Sequence, residues 1–67
     1  MDTNDYNLAE GIKAAMAAHG ITQRQLAEKL GVHYVVVNGT IHNPNIKLST
    51  LVRYAEAIGC EVFEFFK

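Results

Sequence analysis

The segment at residues 20–32, GITQRQLAEKLGV, constrains the fold of this chain more than any other. Gly20 and Gly31 bracket a run with room for no more than about three helical turns. Thr22 followed by Gln25 three residues later is a capping box. The hydroxyl accepts from a first-turn N–H while the Gln amide reaches back to the cap residue. Leu26, Ala27 and Leu30 fall at i, i+1 and i+4, which gives a narrow apolar stripe on an otherwise polar helix. A helix this short does not stand alone in water, because its nucleation outweighs the few hydrogen bonds it gains. It must be wedged between neighbours.

The flanking segments supply those neighbours. Leu8, Ile12, Ala15 and Met16 recur at helical spacing, with Asn4, Asp5 or Asn7 as cap and Gly20 as stop, predicting a first helix over residues 7–19. Ala14, Ala15, Ala17 and Ala18 favour helix and permit close packing. Residues 32–43, VHYVVVNGTIHN, carry conflicting signals. Locally they read as a β-hairpin, with strand formers ahead of an Asn38-Gly39 turn. In context they read as a third helix with Val37 and Ile41 inward, since a lone two-stranded hairpin lacks a sheet partner here. The helix is the expectation. Asn43-Pro44-Asn45 forms a loop. Leu48, Leu51, Tyr54, Ala55 and Ile58 then predict a fourth helix over residues 47–58, closed by Gly59. Val62, Phe63, Phe65 and Phe66 make a short, very apolar fifth helix.

Sixty-seven residues, about half of them apolar, amount to one small globular domain, residues 1–67 with a core over about 8–66. A lone cysteine, Cys60, has no internal disulfide partner, and its position suits a core residue. No stretch approaches the length of a membrane span, and the acidic start MDTNDYN is unlike a signal peptide, so a cytoplasmic location is expected. The net charge of −1 gives no global attraction for nucleic acid. The charges are nonetheless sorted: Arg24, Lys29, Lys47 and Arg53 lie centrally, where the only acids between Gly20 and Gly59 are Glu28 and Glu56.

A short capped helix, a glycine turn and a further helix whose start is exposed have the layout of a helix-turn-helix, which makes duplex DNA the first partner to consider. ITQRQLAEKLGV in second place and NPNIKLSTLVRYAEAIGCEVFEFF at the end resemble the phage-repressor (XRE, Cro/repressor-type) helix-turn-helix family. Its pattern is TQ-x-x-LA-x-x-LGV, a recognition helix, then NP-x-x-x-L-x-TL-x-x-x-A-x-A-[LI]-G and an apolar end. The resemblance covers residues 8–66 and implies an all-α, compact five-helix domain with helices 2 and 3 forming the helix-turn-helix. The departures fall in the third helix, where His33 replaces the usual Ser or Thr and Asn38 stands where Ser is common.

On this resemblance His33, Tyr34, Val35 and Asn38 face the major groove. Asn pairs with adenine, His donates or accepts at a base edge, and Val meets a thymine methyl. Gln23, Arg24, Thr40, Asn43 and Lys47 are the phosphate candidates. Arg53 points elsewhere on the pattern. Phe63, Phe65 and Phe66 do not all fit into one core from a single turn, so Phe63 and Phe66 become dimer-interface candidates. A dimer reading two half-sites offsets the weak charge of one module. His19, His33, His42 and Cys60 lack metal-ligand spacing, so no metal site is expected. Nothing in the chain suggests a nucleophile, a phosphate loop, a cofactor or a small-molecule ligand. The expectation is a non-enzymatic, repressor-like DNA-binding regulator. The rival is a protein-interaction module, antitoxin or adaptor, on the same scaffold.

Overall fold

Local hydrogen bonds set where the helices begin and end. The Gln25 N–H donates to Thr22 Oγ1 at 3.1 Å and the Thr22 N–H donates to Gln25 Oε1 at 2.9 Å, so the capping box is complete. At the other end Gly31 is left-handed, φ +73°. Its N–H donates to the Glu28 carbonyl at 3.2 Å while the Val32 N–H reaches the Ala27 carbonyl at 3.0 Å. That is the Schellman closure, and only glycine enters it without a Cβ penalty.

The computed structural model describes residues 8–66. In chain order it holds α1 (Leu8–Ala18), α2 (Gln23–Leu30), α3 (Tyr34–Ile41), α4 (Leu48–Ile58) and a terminal 3₁₀ helix (Val62–Phe66). The described residues contain no strand, and no helix is long and apolar enough to cross a membrane. The proposed α1 caps, Asn4, Asp5 and Asn7, lie outside the described residues.

Each helix buries one stripe. α1 contributes Ala9, Ile12, Ala15 and Met16, α2 contributes Leu26 and Ala27, and α4 contributes Leu51, Tyr54, Ala55 and Ile58. Residues 32–43 resolve in favour of helix. α3 buries Val37 and Ile41 against this core, and their burial outweighs the poor helix propensity of Val35, Val36 and Gly39. α3 packs mainly on α2, and α2 also meets α4, so α2 is wedged as its length requires.

Three details of the sequence reading change. α4 starts at Leu48, with Lys47 as its extended cap residue. Leu48 is not part of the buried stripe: it is 67% exposed in the first turn, before the helix reaches the core. The fifth helix is 3₁₀ rather than α. With three residues per turn, side chains at i and i+3 eclipse. Val62 and Phe65 therefore share the inner side, Phe65 fully buried, while Phe63 and Phe66 share the outer side at 60% and 51% exposure. This element packs chiefly on α1. Cys60 is half-buried beside the core. Burial pushes its thiol pKa up, with Glu64 and then Glu61 adding to the effect.

Candidate nucleic-acid interface

With Val37 and Ile41 buried, the 3.6-residue repeat sends Val35, Asn38, Gly39 and His42 outward as one stripe, and all four are exposed. His33 and Tyr34 stand at the start of α3 and Val36 lies on its flank, all exposed. Thr40 is half-buried, about 200° around the helix from Asn38.

His33 caps α3. Its Nδ1 accepts from the Val35 N–H at 3.1 Å, which requires a lone pair there and leaves the proton of the neutral ring on Nε2. His42 is the reverse case. Its Nδ1 lies 2.8 Å from the Asn38 carbonyl oxygen, which only accepts, so Nδ1 carries a proton and, in the neutral ring, Nε2 is left as an acceptor. The neutral rings at the two ends of α3 thus offer a donor and an acceptor. The sequence reading weighs His42 only as a metal ligand, although its position four residues after Asn38 on a helix places it on the same stripe.

α2 and α3 are tied by side chains at their exposed seam. The Asn38 Nδ2 donates to Gln23 Oε1 at 3.2 Å, joining the first residue of α2 to the outward stripe of α3. This leaves the Gln23 amide NH₂ as its remaining donor. The Arg24 guanidinium stacks over the Tyr34 ring at 4.3 Å from its centroid. Tyr34 in turn lies beside the His33 ring, centroids 5.2 Å apart. Stacking uses the face of the guanidinium and leaves its in-plane N–H groups for other acceptors. Two sets of contacts, Gln23 with Asn38 and Arg24 with Tyr34 and His33, therefore tie α2 to α3 at adjacent positions of α2.

The loop after α3 is ordered by its own side chain. Asn43 Oδ1 accepts from the Asn45 N–H at 2.9 Å, an Asx turn across Pro44. Asn43 is exposed, and its amide NH₂ remains as a donor. Lys47 is also exposed and supplies no side-chain cap to α4, since an ammonium has no lone pair to accept an N–H. It sits instead where the positive end of the helix dipole favours an anion. Phe63 and Phe66 stand on the outer side of the terminal 3₁₀ helix.

A model of the helix-turn-helix family matches residues 12–65, from the middle of α1 into the 3₁₀ helix. No curated protein and no solved structure matches the chain.

Proposed function

The chain belongs to the XRE-type helix-turn-helix family found among Cro and repressor proteins, and from that membership we propose that it binds duplex DNA as a repressor-like regulator of transcription. It acts in the cytoplasm of a bacterium, or on behalf of a phage or mobile element. α2 and α3 form the helix-turn-helix, with α3 in the major groove. Val35 and Asn38 reach base edges from the centre of α3, and His33, Tyr34 and His42 from its two ends. Gln23, Arg24, Asn43 and Lys47 hold phosphates, with Thr40 a lesser contact on the flank.

The hydrogen bond between Asn38 and Gln23 carries this reading. It couples a base-reading side chain to a phosphate-holding one, so that backbone contact sets the angle at which the bases are read. Membership of a DNA-binding family supports the same conclusion.

One module with few cations on its reading face binds weakly. A homodimer, formed at least on DNA, doubles the phosphate contacts. Phe63 and Phe66 suit its interface, because they place two large apolar side chains on one outer side of a short element.

A second reading is favoured by α3 itself. Val35 and Val36 are 59% and 50% exposed on a helix that carries no Lys or Arg. Such a face also suits a protein partner. Salt separates the two. Binding to random-sequence duplex is expected to weaken steeply as salt rises, with a slope set by the number of phosphates contacted. Absence of binding to any duplex at about 50 mM salt would leave the protein-interaction module as the function. Selection of bound duplexes from a random pool then reports the operator, and sizing of the protein alone reports the dimer.

A further inference from the structure

His19, Cys60 and Glu64 meet at the seam where the chain end packs on α1. His19 follows α1, Cys60 sits at the corner between Gly59 and the 3₁₀ helix, and Glu64 belongs to that helix. Each offers one ligand atom, and the three atoms lie within 4.8 Å of one another. His19 Nε2 and Glu64 Oε1 are only 3.3 Å apart. The two are hydrogen-bonded to each other, and since two ligands on one tetrahedral zinc, each bonded at about 2.0–2.2 Å, stand about 3.4 Å apart, an ion replaces that bond with little movement of either side chain. The thiolate edge of such a site spans about 3.6 Å, and a side-chain adjustment of about 1 Å closes the remainder.

We propose that His19, Cys60 and Glu64 form a three-donor site for a divalent metal ion of borderline softness, with zinc as its natural occupant. A mixed sulfur, nitrogen and oxygen set selects such an ion over magnesium or calcium, which prefer oxygen alone. The donors are reachable, since the side chains of His19 and Glu64 are 33% and 26% exposed. His19 also lines an open surface groove with Gly20, Ile21 and Gln25, so its ring is reached from solvent. On binding, the Cys60 thiol proton is released to solvent and the thiolate takes the metal. Three protein donors leave the fourth tetrahedral position to water.

The ion would clamp the terminal 3₁₀ helix to the end of α1, the seam that Phe65 already holds by burial. No ligand comes from α2 or α3, so the site is independent of the proposed DNA-reading face. It is invisible in the sequence because His19 and Glu64 are 45 residues apart and no Cys-x-x-Cys or His-x-x-x-His spacing announces it.

Cobalt(II) titration of the reduced protein tests the site. One equivalent per chain is expected to produce a thiolate-to-cobalt charge-transfer band, absent from Cys60→Ser. His19→Gln and Glu64→Gln should each weaken cobalt binding at least about tenfold, while His42→Gln leaves it unchanged. Zinc should raise the thermal midpoint of the unsubstituted protein and not that of His19→Gln or Glu64→Gln, whose folding without metal is checked by circular dichroism. No band at one equivalent, or a band of equal affinity in His19→Gln and Glu64→Gln, overturns the proposal. The latter result marks a lone thiol binding adventitiously.

Discussion

Gly31 and Gly39 offer a matched test of how the backbone, rather than space, sets the role of each residue. A Cβ built on either would meet nothing within 4 Å. Sterically the two substitutions by alanine are therefore equivalent. Conformationally they are opposites. Gly39 lies inside α3 with negative φ, where alanine is favoured over glycine by about 1 kcal/mol because it restricts the unfolded chain and suits the helix. Gly31 lies at φ +73°, where a Cβ approaches the following carbonyl and costs about 1–2 kcal/mol. Gly39→Ala should accordingly raise the thermal midpoint and Gly31→Ala lower it, each kcal/mol moving it by about 4–8 °C in a domain of this size. Thermal and urea unfolding followed by circular dichroism measure both, and an unchanged urea slope shows that each variant exposes the same surface on unfolding. A fall in both midpoints refutes the assignment of α3 as a continuous helix through Asn38 and Gly39, and a rise in both refutes the left-handed closure at Gly31. Gly39 also stands on the outward stripe of α3, where its bare backbone permits close approach of a ligand. The same Gly39→Ala variant is therefore expected to bind duplex DNA more weakly while being more stable. Stronger or unchanged binding would place the duplex elsewhere.

Other substitutions separate the roles of neighbouring side chains. Asn38→Ala should relax base preference at one position by about 1–3 kcal/mol, measured by competition between duplexes, whereas Lys47→Ala should weaken all sequences alike and flatten the salt slope by about one unit. A change in base preference from the lysine substitution alone would contradict that division. His33→Ala should cost about 1 kcal/mol of stability through the lost cap, and His33→Ser should restore it without restoring DNA affinity, as read by urea unfolding and binding in parallel. Phe65→Ala should cost about 3–5 kcal/mol, comparable with the whole stability of a domain this small, and leave the chain largely unfolded by circular dichroism. A loss below about 1 kcal/mol would show that the terminal 3₁₀ helix is not part of the core.

The site was legible in pieces. Gln23, Arg24, His33, Tyr34 and Asn38 were each nameable from the family pattern, but their mutual contacts were not. The stacking of Arg24 on Tyr34 and the bond from Asn38 to Gln23 join residues of different helices and depend on how α3 crosses α2. His42 is missing from the sequence-derived DNA face because it lies just past the end of α3, at the C-cap, beyond the helical repeat. Leu48 was over-read for the opposite reason. It keeps the helical spacing of the α4 stripe, yet at the first turn no element among the described residues covers it.

Sequence alone determined what depends on hydrogen bonds closed within a few residues. The start of α2 at Thr22 and Gln25 and its stop at Gly31 are of this kind, since every donor and acceptor involved lies within one short segment. The periodic burial of α1 and most of α4 was equally plain, because a helix carries its own ruler of about 3.6 residues. Tertiary structure decided where local signals were weak or contradictory. Val35, Val36 and Asn38-Gly39 argue for a hairpin, and only the burial of Val37 and Ile41 against the other helices makes that segment α-helical. The choice of Phe65 over Phe63 and Phe66 for the core followed from a three-residue repeat that the packing on α1 selects. The meeting of His19, Cys60 and Glu64 is the extreme case, for it exists only once the terminal 3₁₀ helix is packed on α1.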